Sequence, residues 1–284
     1  MADLLDQFYN LIEDRGLKTY LVGGVVRDLF LNRKINDYDF VLEKDIEEIS
    51  RQFADLIGGN LVKLDQKRGI YRIIKSNKIF DFNKMKGNNI RQDLADRDFT
   101  INSLALTFNK STLSEIKKGN TEAFNDHNGF SPTMKRFIID PFGGIMDLKQ
   151  KKVKLVKKYA VAEDPLRILR GIRFKATLSF TIDSNTETIM QDNVEKLNQA
   201  AEERIKDELL KIFSGCNLHK NIKYMEEKMG LLSYLIPEVS GLHEVGQCKY
   251  HKEDVWTHSL YLLQILEEIR KKDVFSDYIN AEEI

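Results

Sequence analysis

Residues 19–42 read TYLVGGVVRDLFLNRKINDYDFVL. TYLV has the composition of a strand and runs directly into Gly23-Gly24. VVRDLFL after it has the apolar spacing of a short helix, and NDYDFVL returns to strand. A strand entering a Gly-Gly turn and then a helix start exposes backbone N–H groups, and glycines let those groups approach phosphates closely. Arg27, one turn into the helix, is placed to fork onto a phosphate. Side chains two apart on a strand share a face, so Asp37 and Asp39 stand side by side. Adjacent carboxylates repel and require a cation. Hard oxygen donors suit Mg²⁺, which takes one or two carboxylates together with substrate phosphates. Alone, each signal is weak. The first is equally a tight turn with a surface Arg27–Asp28 pair, the second an exposed acidic turn. With Gly24 only 13 residues before Asp37, the two together point to phosphoryl or nucleotidyl transfer.

Working outward, residues 3–15 place Leu4, Leu5, Phe8, Leu11 and Ile12 on one helical face, with Gly16 as the stop. DIEEISRQFADLIGG, residues 45–59, is an amphipathic helix with the stripe Ile46, Ile49, Phe53 and Leu56. Asp45 and Glu48 read as a capping box, and Gly58 stops the helix. NLVKL, GIYRIIK and KIFDF follow as strand-like runs spaced for an antiparallel meander. Asp81, in KIFDF, is a third carboxylate able to line the same site; its plain alternative is an acid at a strand end. RQDLADRDFTINSLAL, residues 91–106, reads as helical. RFIIDPFGG reads as a further strand closing at Pro141 and Gly143-Gly144. From about Glu163 onward every run is helical. The chain therefore reads as α+β, with residues 1–150 mixed and the remainder all-α.

The 284 residues suit about two domains. The chain is 42% apolar and 31% charged, as globular proteins are. No window approaches 18 apolar residues without charge, which excludes a transmembrane helix. The acidic N-terminal stretch lacks the pattern of a secretory signal. Cys216 and Cys248 alone cannot make a disulfide framework or a four-ligand zinc site, so a reducing, cytoplasmic setting is expected. The 44 basic and 44 acidic residues cancel, so any basic footprint must be local. It is local: Lys149–Lys175 is strongly basic, and the stretch after Glu253 is acidic.

At this point the motifs resemble a family. LVGGVVRDLFL followed by DYDF resembles the head of class II tRNA nucleotidyltransferases and bacterial poly(A) polymerases. DLADRDFTINSLAL resembles the family's R-R-D-F-T-x-N segment, with Arg97 and Asp98 at matching places. EDPLRILRGIRF, residues 163–174, resembles its E-D-x-x-R nucleotide-selecting segment, and IIDPFGGIMDL its linking segment. The similarity runs from about Thr19 to about Phe213.

The resemblance implies a polymerase-β-type head with a five-stranded mixed sheet over residues 1–150. A helical neck over 151–225 and the start of a helical body over 226–284 would follow. It implies attack of a tRNA 3′-hydroxyl on the α-phosphorus of CTP or ATP, with Mg²⁺ held by Asp37 and Asp39 and with Asp81 beside them. Gly24, Arg27 and Arg97 would hold the nucleotide. Asp164 and Arg167 would read the base, with Arg170 and Arg173 on base, triphosphate or RNA. Asp164, Arg167, Arg170 and Arg173 recur every third residue, which on a helix makes neighbours of Asp164 and Arg167. A carboxylate accepts from the amino group of cytosine or adenine and an arginine donates to the adjacent ring atom. Uracil and guanine would leave a charged group unpaired. From composition alone, the same residues are a solvated basic helix face.

Two departures matter. Asp96 stands where the family has its first arginine. Only 14 residues, NKMKGNNIRQDLAD, separate the KIFDF strand from the R-D-F-T segment. CCA-adding members usually carry a flexible loop there, so the short gap resembles CC-adding members. GLHEVGQCKYHKEDVWTHSL, residues 241–260, resembles the start of an HD-type helical region. His243, His251, Asp254 and His258 make an incomplete metal set there and are expected to be structural. The chain is expected to be a fragment or a short form with a curtailed tRNA-elbow region. Rival readings are a bacterial poly(A) polymerase, a non-catalytic RNA-binding relative, and a small-molecule nucleotidyltransferase. Oligomeric state is open.

Overall fold

The computed structural model describes residues 2–117, 130–245 and 254–271. The chain divides into two compact units, residues 1–150 with 154–157 and residues 151–153 with 158–284.

The first unit runs α1 (Ala2–Glu13), β1 (Thr19–Val22), α2 (Gly24–Phe30), β2 (Asp37–Leu42), α3 (Ile46–Ile57), β3 (Asn60–Asp65), β4 (Ile70–Lys75), β5 (Lys78–Lys84) and α4 (Ile90–Ala95). A 3₁₀ turn (Thr100–Asn102) leads into β6 (Ala105–Thr107). Then come α5 (Lys110–Lys117), α6 (Pro132–Lys135), β7 (Ile138–Ile139) and α7 (Gly144–Lys149). The strands form one sheet in the order β3-β4-β5-β2-β1-β6-β7. The β3-β4-β5 meander is antiparallel as expected. The β2–β5 pair is parallel, with Asp39 opposite Asp81.

Alternation along the strands gives the sheet two different faces. One carries Phe40, Phe80 and Phe82 and is covered by α1 and α3, which bury Leu5, Phe8, Ile12, Ile46, Ile49, Phe53 and Ile57. Phe8 is the hub, with ring centroids 4.5 Å from Phe40, 5.0 Å from Phe53, 5.1 Å from Phe82 and 5.7 Å from Phe108. The other face carries Val22, Asp39, Val41, Arg72, Asp81 and Ala105. Ile90 and Leu94 of α4 cover Val22, Val41 and Ala105.

Several expectations are corrected. The sheet has seven strands, not five. Residues 91–106 are not one helix: α4 ends at Ala95, and SLAL becomes β6, paired with β1 and β7. Its apolar run is a buried central strand, which periodicity alone does not separate from a buried helix. Asp45 makes no capping box. It sits in left-handed backbone with no side-chain cap bond, and Glu48 accepts from Arg15 instead, at 2.9 Å. Leu56 is exposed, and Ile57 takes the buried place.

The second unit is not wholly helical. β8 (Lys152–Val153) and β9 (Thr181–Ile182) form a short parallel pair. Around it lie α8 (Ala160–Glu163), α9 (Arg167–Leu178), α10 (Ser184–Gln191), α11 (Glu202–Phe213), α12 (Leu218–Lys223), α13 (Leu231–Leu235), α14 (Glu238–Glu244) and α15 (Val255–Lys271). Among the described residues no helix is long and apolar enough to cross a membrane.

Phe8→Ala removes the hub of the aromatic face. It is expected to destabilise the first unit by about 3–5 kcal/mol, read as a lower urea midpoint. A loss under about 1 kcal/mol would show that α1 is not needed to hold the sheet.

Candidate active site

The strand register assembles the acidic side of the site. Asp39 and Asp81 are Cα partners across β2 and β5, and Arg72 is the partner of Asp81 across β4 and β5. The three therefore stand in a row on one face. Arg72 forks onto Asp81, with both bonds at 2.7 Å. Asp37 is exposed at the start of β2, whereas Asp39 is half-buried. Burial pushes the Asp39 carboxyl up to about 6, Asp81 and Asp37 add to the rise, and Arg97 and Arg72 oppose it.

Arg97 reaches the site from the segment after α4. Its Nη2 donates to Asp93 at 3.2 Å, and its Nε is buried without a partner. A Cβ on Gly23 would lie 2.8 Å from Arg97 Nη1 and 3.9 Å from Asp39 Oδ2, and Gly23 has φ +72°. Glycine is thus required at Gly23 both by its backbone and by the arginine against it. Gly24 opens α2, and Arg27 lies close, 3.6 Å from the place of a Gly24 Cβ. Arg27 donates to Asp28 at 3.0 and 2.9 Å and to Asn102 at 2.8 Å. The surface Arg27–Asp28 pair is therefore present, and it packs against the 3₁₀ turn.

The R-D-F-T segment is locked from behind. Asp98 accepts from the Phe99 backbone N–H at 2.7 Å and from Asn102 at 3.3 Å. Thr100 donates to buried Asp147 at 2.6 Å. A Cβ on Gly144 would sit 2.1 Å from the Thr100 carbonyl oxygen, so the linking segment passes too close for any side chain. Asp96, the departure from the family pattern, accepts from Lys157 at 2.9 Å.

The donor set fits a hard divalent cation. Asp37 and Asp39 offer only oxygens, and the raised affinity of Asp39 for a proton marks negative charge that the protein leaves partly uncompensated. Asp81 is engaged by Arg72. Among the described residues no three His, Cys, Asp or Glu side chains already converge on a metal position. Two carboxylates plus substrate oxygens is the arrangement that Mg²⁺ takes.

In the second unit, Asp164 is not on the helix with the arginines. It is an extended residue closing α8, and α9 starts at Arg167, after the Pro165 turn. The expectation of four residues on one helix is corrected accordingly. Asp164 accepts from the Leu166 backbone N–H at 3.2 Å and from Arg204 at 3.3 Å. Arg167 donates to the Ala160 carbonyl at 3.2 Å and lies 3.5 Å from Glu163. Arg173 pairs with Glu208 at 3.1 Å and lies over the Phe174 ring at 4.5 Å; Arg170 lies 6.0 Å from that ring. Arg204 and Glu208, both on α11, were not visible as partners in the sequence. They lie about forty residues on, and only the packing of α11 on α9 brings them near.

Asp254 caps α15 by accepting from the Thr257 N–H, at 2.6 Å. His243 lies 3.5 Å from Glu226 and 5.0 Å from the Trp256 ring. His251 and Cys248 lie outside the described residues. His258 lies within α15.

Comparison with known proteins agrees with this geometry. Residues 19–154 match the family described as "Poly A polymerase head domain", and residues 179–242 match "Probable RNA and SrmB- binding site of polymerase A". The chain belongs to the tRNA nucleotidyltransferase and poly(A) polymerase family. It is 35% identical over 213 residues to the CC-adding tRNA nucleotidyltransferase of Geobacter sulfurreducens, covering 74% of this chain and 44% of that one. It is 31% identical over 251 residues to the A-adding tRNA nucleotidyltransferase of Deinococcus radiodurans, covering 87% and 51%. The fold is similar to the Thermotoga maritima CCA-adding enzyme complexed with tRNA, with a TM-score of 0.68 at 30% identity, covering 83% and 52%. The chain spans about half the length of the curated relatives it matches.

The raised carboxyl of Asp39 carries a stability consequence. Between pH 4 and 6 the folded state holds a proton that the unfolded state has lost, so stability falls as pH rises through that window. Asp39→Asn removes the buried charge. It should make the metal-free protein more stable at pH 8, by up to about 3 kcal/mol, and leave it unchanged at pH 4. Urea titrations at the two pH values measure this. No gain at pH 8 would mean that Arg97 and Arg72 already compensate the charge.

Proposed function

We propose that the chain is a nucleotidyltransferase that adds CMP to the 3′-hydroxyl of tRNA without a nucleic-acid template, using CTP and adding two C residues. The observation that carries the reading is the row Asp39–Asp81–Arg72 with Asp37 beside it and Arg97 fixed against Gly23. Mg²⁺ held by Asp37 and Asp39 would supply Lewis-acid stabilisation of the attacking and leaving oxygens. The remaining work falls to this chain's side chains. Arg97, whose Nε lacks a partner, is oriented to donate to the nucleotide or its phosphates. Gly23 and Gly24 keep the turn bare of side chains so that phosphates can approach. Asp164 and Arg167 read the amino edge of the base. Arg204 holds the Asp164 carboxylate in place.

The short gap after β5 supports CC addition over full CCA addition. Its residues are used for a turn and for α4, whose Ile90 and Leu94 are buried, which leaves no spare length for a mobile loop. In this reading residues 151–225 are the neck and a body begins at 226. The setting is cytoplasmic, and ATP is the second nucleotide to be tried as substrate.

The test is a primer-extension assay on tRNA ending at the discriminator base, with CTP, ATP or both, read at single-nucleotide resolution. Two C additions and a stop, abolished by Asp39→Ala, are expected. Addition of C, C and A would reject the argument from the short gap. Long A runs would assign the chain as a poly(A) polymerase. No addition, with the parent and Asp39→Ala indistinguishable, would reject the catalytic reading in favour of a non-catalytic relative.

A further inference from the structure

An open cleft of about 740 Å³ runs from Asp39 along β5, between the sheet and α4. Its charges do not cancel within the cleft. Asp93 accepts from Arg97 and from the Lys86 backbone N–H, at 3.2 and 3.1 Å, and Asp96 accepts from Lys157. The acids on the α4 side therefore already have partners. Opposite them stand Arg68, Lys84 and Lys86, all exposed. Among the described residues neither lysine ammonium has a partner. Arg68 reaches only Asp65, at 3.5 Å and with its side chain 79% exposed.

The backbone under these cations is fixed. Arg68 N–H donates to Asp65 Oδ1 at 2.9 Å, and Lys84 N–H donates to the Gly69 carbonyl at 3.2 Å. Gly69 has φ +66°, and a Cβ there would lie 3.3 Å from the Lys84 Cβ, so the β3–β4 turn closes tightly on β5. Lys84 and Lys86 are two residues apart on extended chain, so their side chains leave the same side about 7 Å apart. That separation suits successive phosphodiesters of a strand better than the adjoining phosphates of one triphosphate. The cleft is open along its length, as a polymer passing through it requires.

We propose that Arg68, Lys84 and Lys86 form a subsite for the backbone phosphates of a single-stranded RNA 3′ end, leading its terminal hydroxyl towards Asp39. The subsite rests on the nucleotidyltransferase reading above, and it places RNA contacts within the first unit, apart from the basic stretch Lys149–Lys175. Its ligand chemistry is phosphate, which the RNA and the incoming nucleotide both carry, so the test separates the two sources.

The variants are Lys84→Gln/Lys86→Gln, the same pair with Arg68→Gln, and a charge-keeping Lys84→Arg/Lys86→Arg. Unchanged thermal midpoints establish that they fold. Binding of fluorescent tRNA ending at the discriminator base is followed by anisotropy across a salt series, and CTP binding by calorimetry. The Gln pair is expected to weaken tRNA binding about tenfold at low salt. It should also lower the log–log salt slope by about 1.4, or about 0.7 for each single-strand phosphate that the variant no longer neutralises. CTP affinity should stay within twofold, and the Arg pair should restore the slope. Weaker CTP binding with an unchanged tRNA slope would hand the subsite to the triphosphate and overturn the proposal. A parent that binds both ligands, with variants that match it, overturns the subsite alone. A parent that binds neither overturns the nucleotidyltransferase reading and the subsite with it.

Discussion

Asp39 is the residue on which the first unit is organised, because its charge is held where the protein disfavours it. The parallel pairing of β2 with β5 sets it directly beside Asp81, and burial removes the water that would otherwise screen the two. A row of carboxylates on a sheet collapses or splays unless something rigid fixes it. Here rigidity comes from the opposite face, where Phe8, Phe40, Phe53, Phe82 and Phe108 interlock. The two faces are one device. The aromatic side fixes strand spacing, and strand spacing fixes the distance between charges. The parallel pair also explains the order of the chain. Parallel strands need a long crossover, and α3 with the β3–β4 hairpin fills it while covering the aromatic face.

The cationic side depends on close approach rather than on bulk. Arg97 stands against Gly23 because that residue has no side chain, and the segment carrying Arg97 is fixed from behind by Thr100, Asp147 and the bare backbone at Gly144. Each contact is individually modest, but together they leave the R-D-F-T segment one conformation. Arg97 then needs little reorganisation to act on an anion, which is the condition for electrostatic preorganisation. Arg72 has the complementary task. By forking onto Asp81 it leaves Asp37 and Asp39 as the carboxylates still open to a cation.

The sequence made the local elements legible wherever composition and spacing agreed. The strand into Gly23-Gly24, the DYD strand and the three-run meander are all where alternation places them. It failed where a central strand is buried on both sides. SLAL has no polar alternation, and RFIID gives only a two-residue strand, so a seven-stranded sheet read as five. Asp45 and Glu48 show a second limit. The capping pattern was present, but a nearby Arg15 competes for Glu48, and no local rule sees a partner thirty-three residues away. The site divides in the same way. Asp37, Asp39, Arg97 and Gly23 were readable because their chemistry lies in short motifs. Arg72, Arg204 and Glu208 were not, because each acts through a strand register or a helix contact that the linear spacing does not encode.

Asp164 shows why the extended break between α8 and α9 serves recognition better than the continuous helix that its spacing suggested. On a helix face an aspartate adjusts freely, and ordering it on binding costs side-chain entropy. In the break, one oxygen is fixed by the Leu166 N–H and the other by Arg204. A carboxylate has about four acceptor positions, so two bonds fix its plane and leave capacity for an amino donor. The neighbouring Arg167 is likewise tied to the Ala160 carbonyl at the start of the same short helix. Both groups are therefore ordered before any base arrives. A base edge that offers an acceptor to Asp164 would meet a fixed negative charge that cannot turn away, and discrimination follows from that immobility.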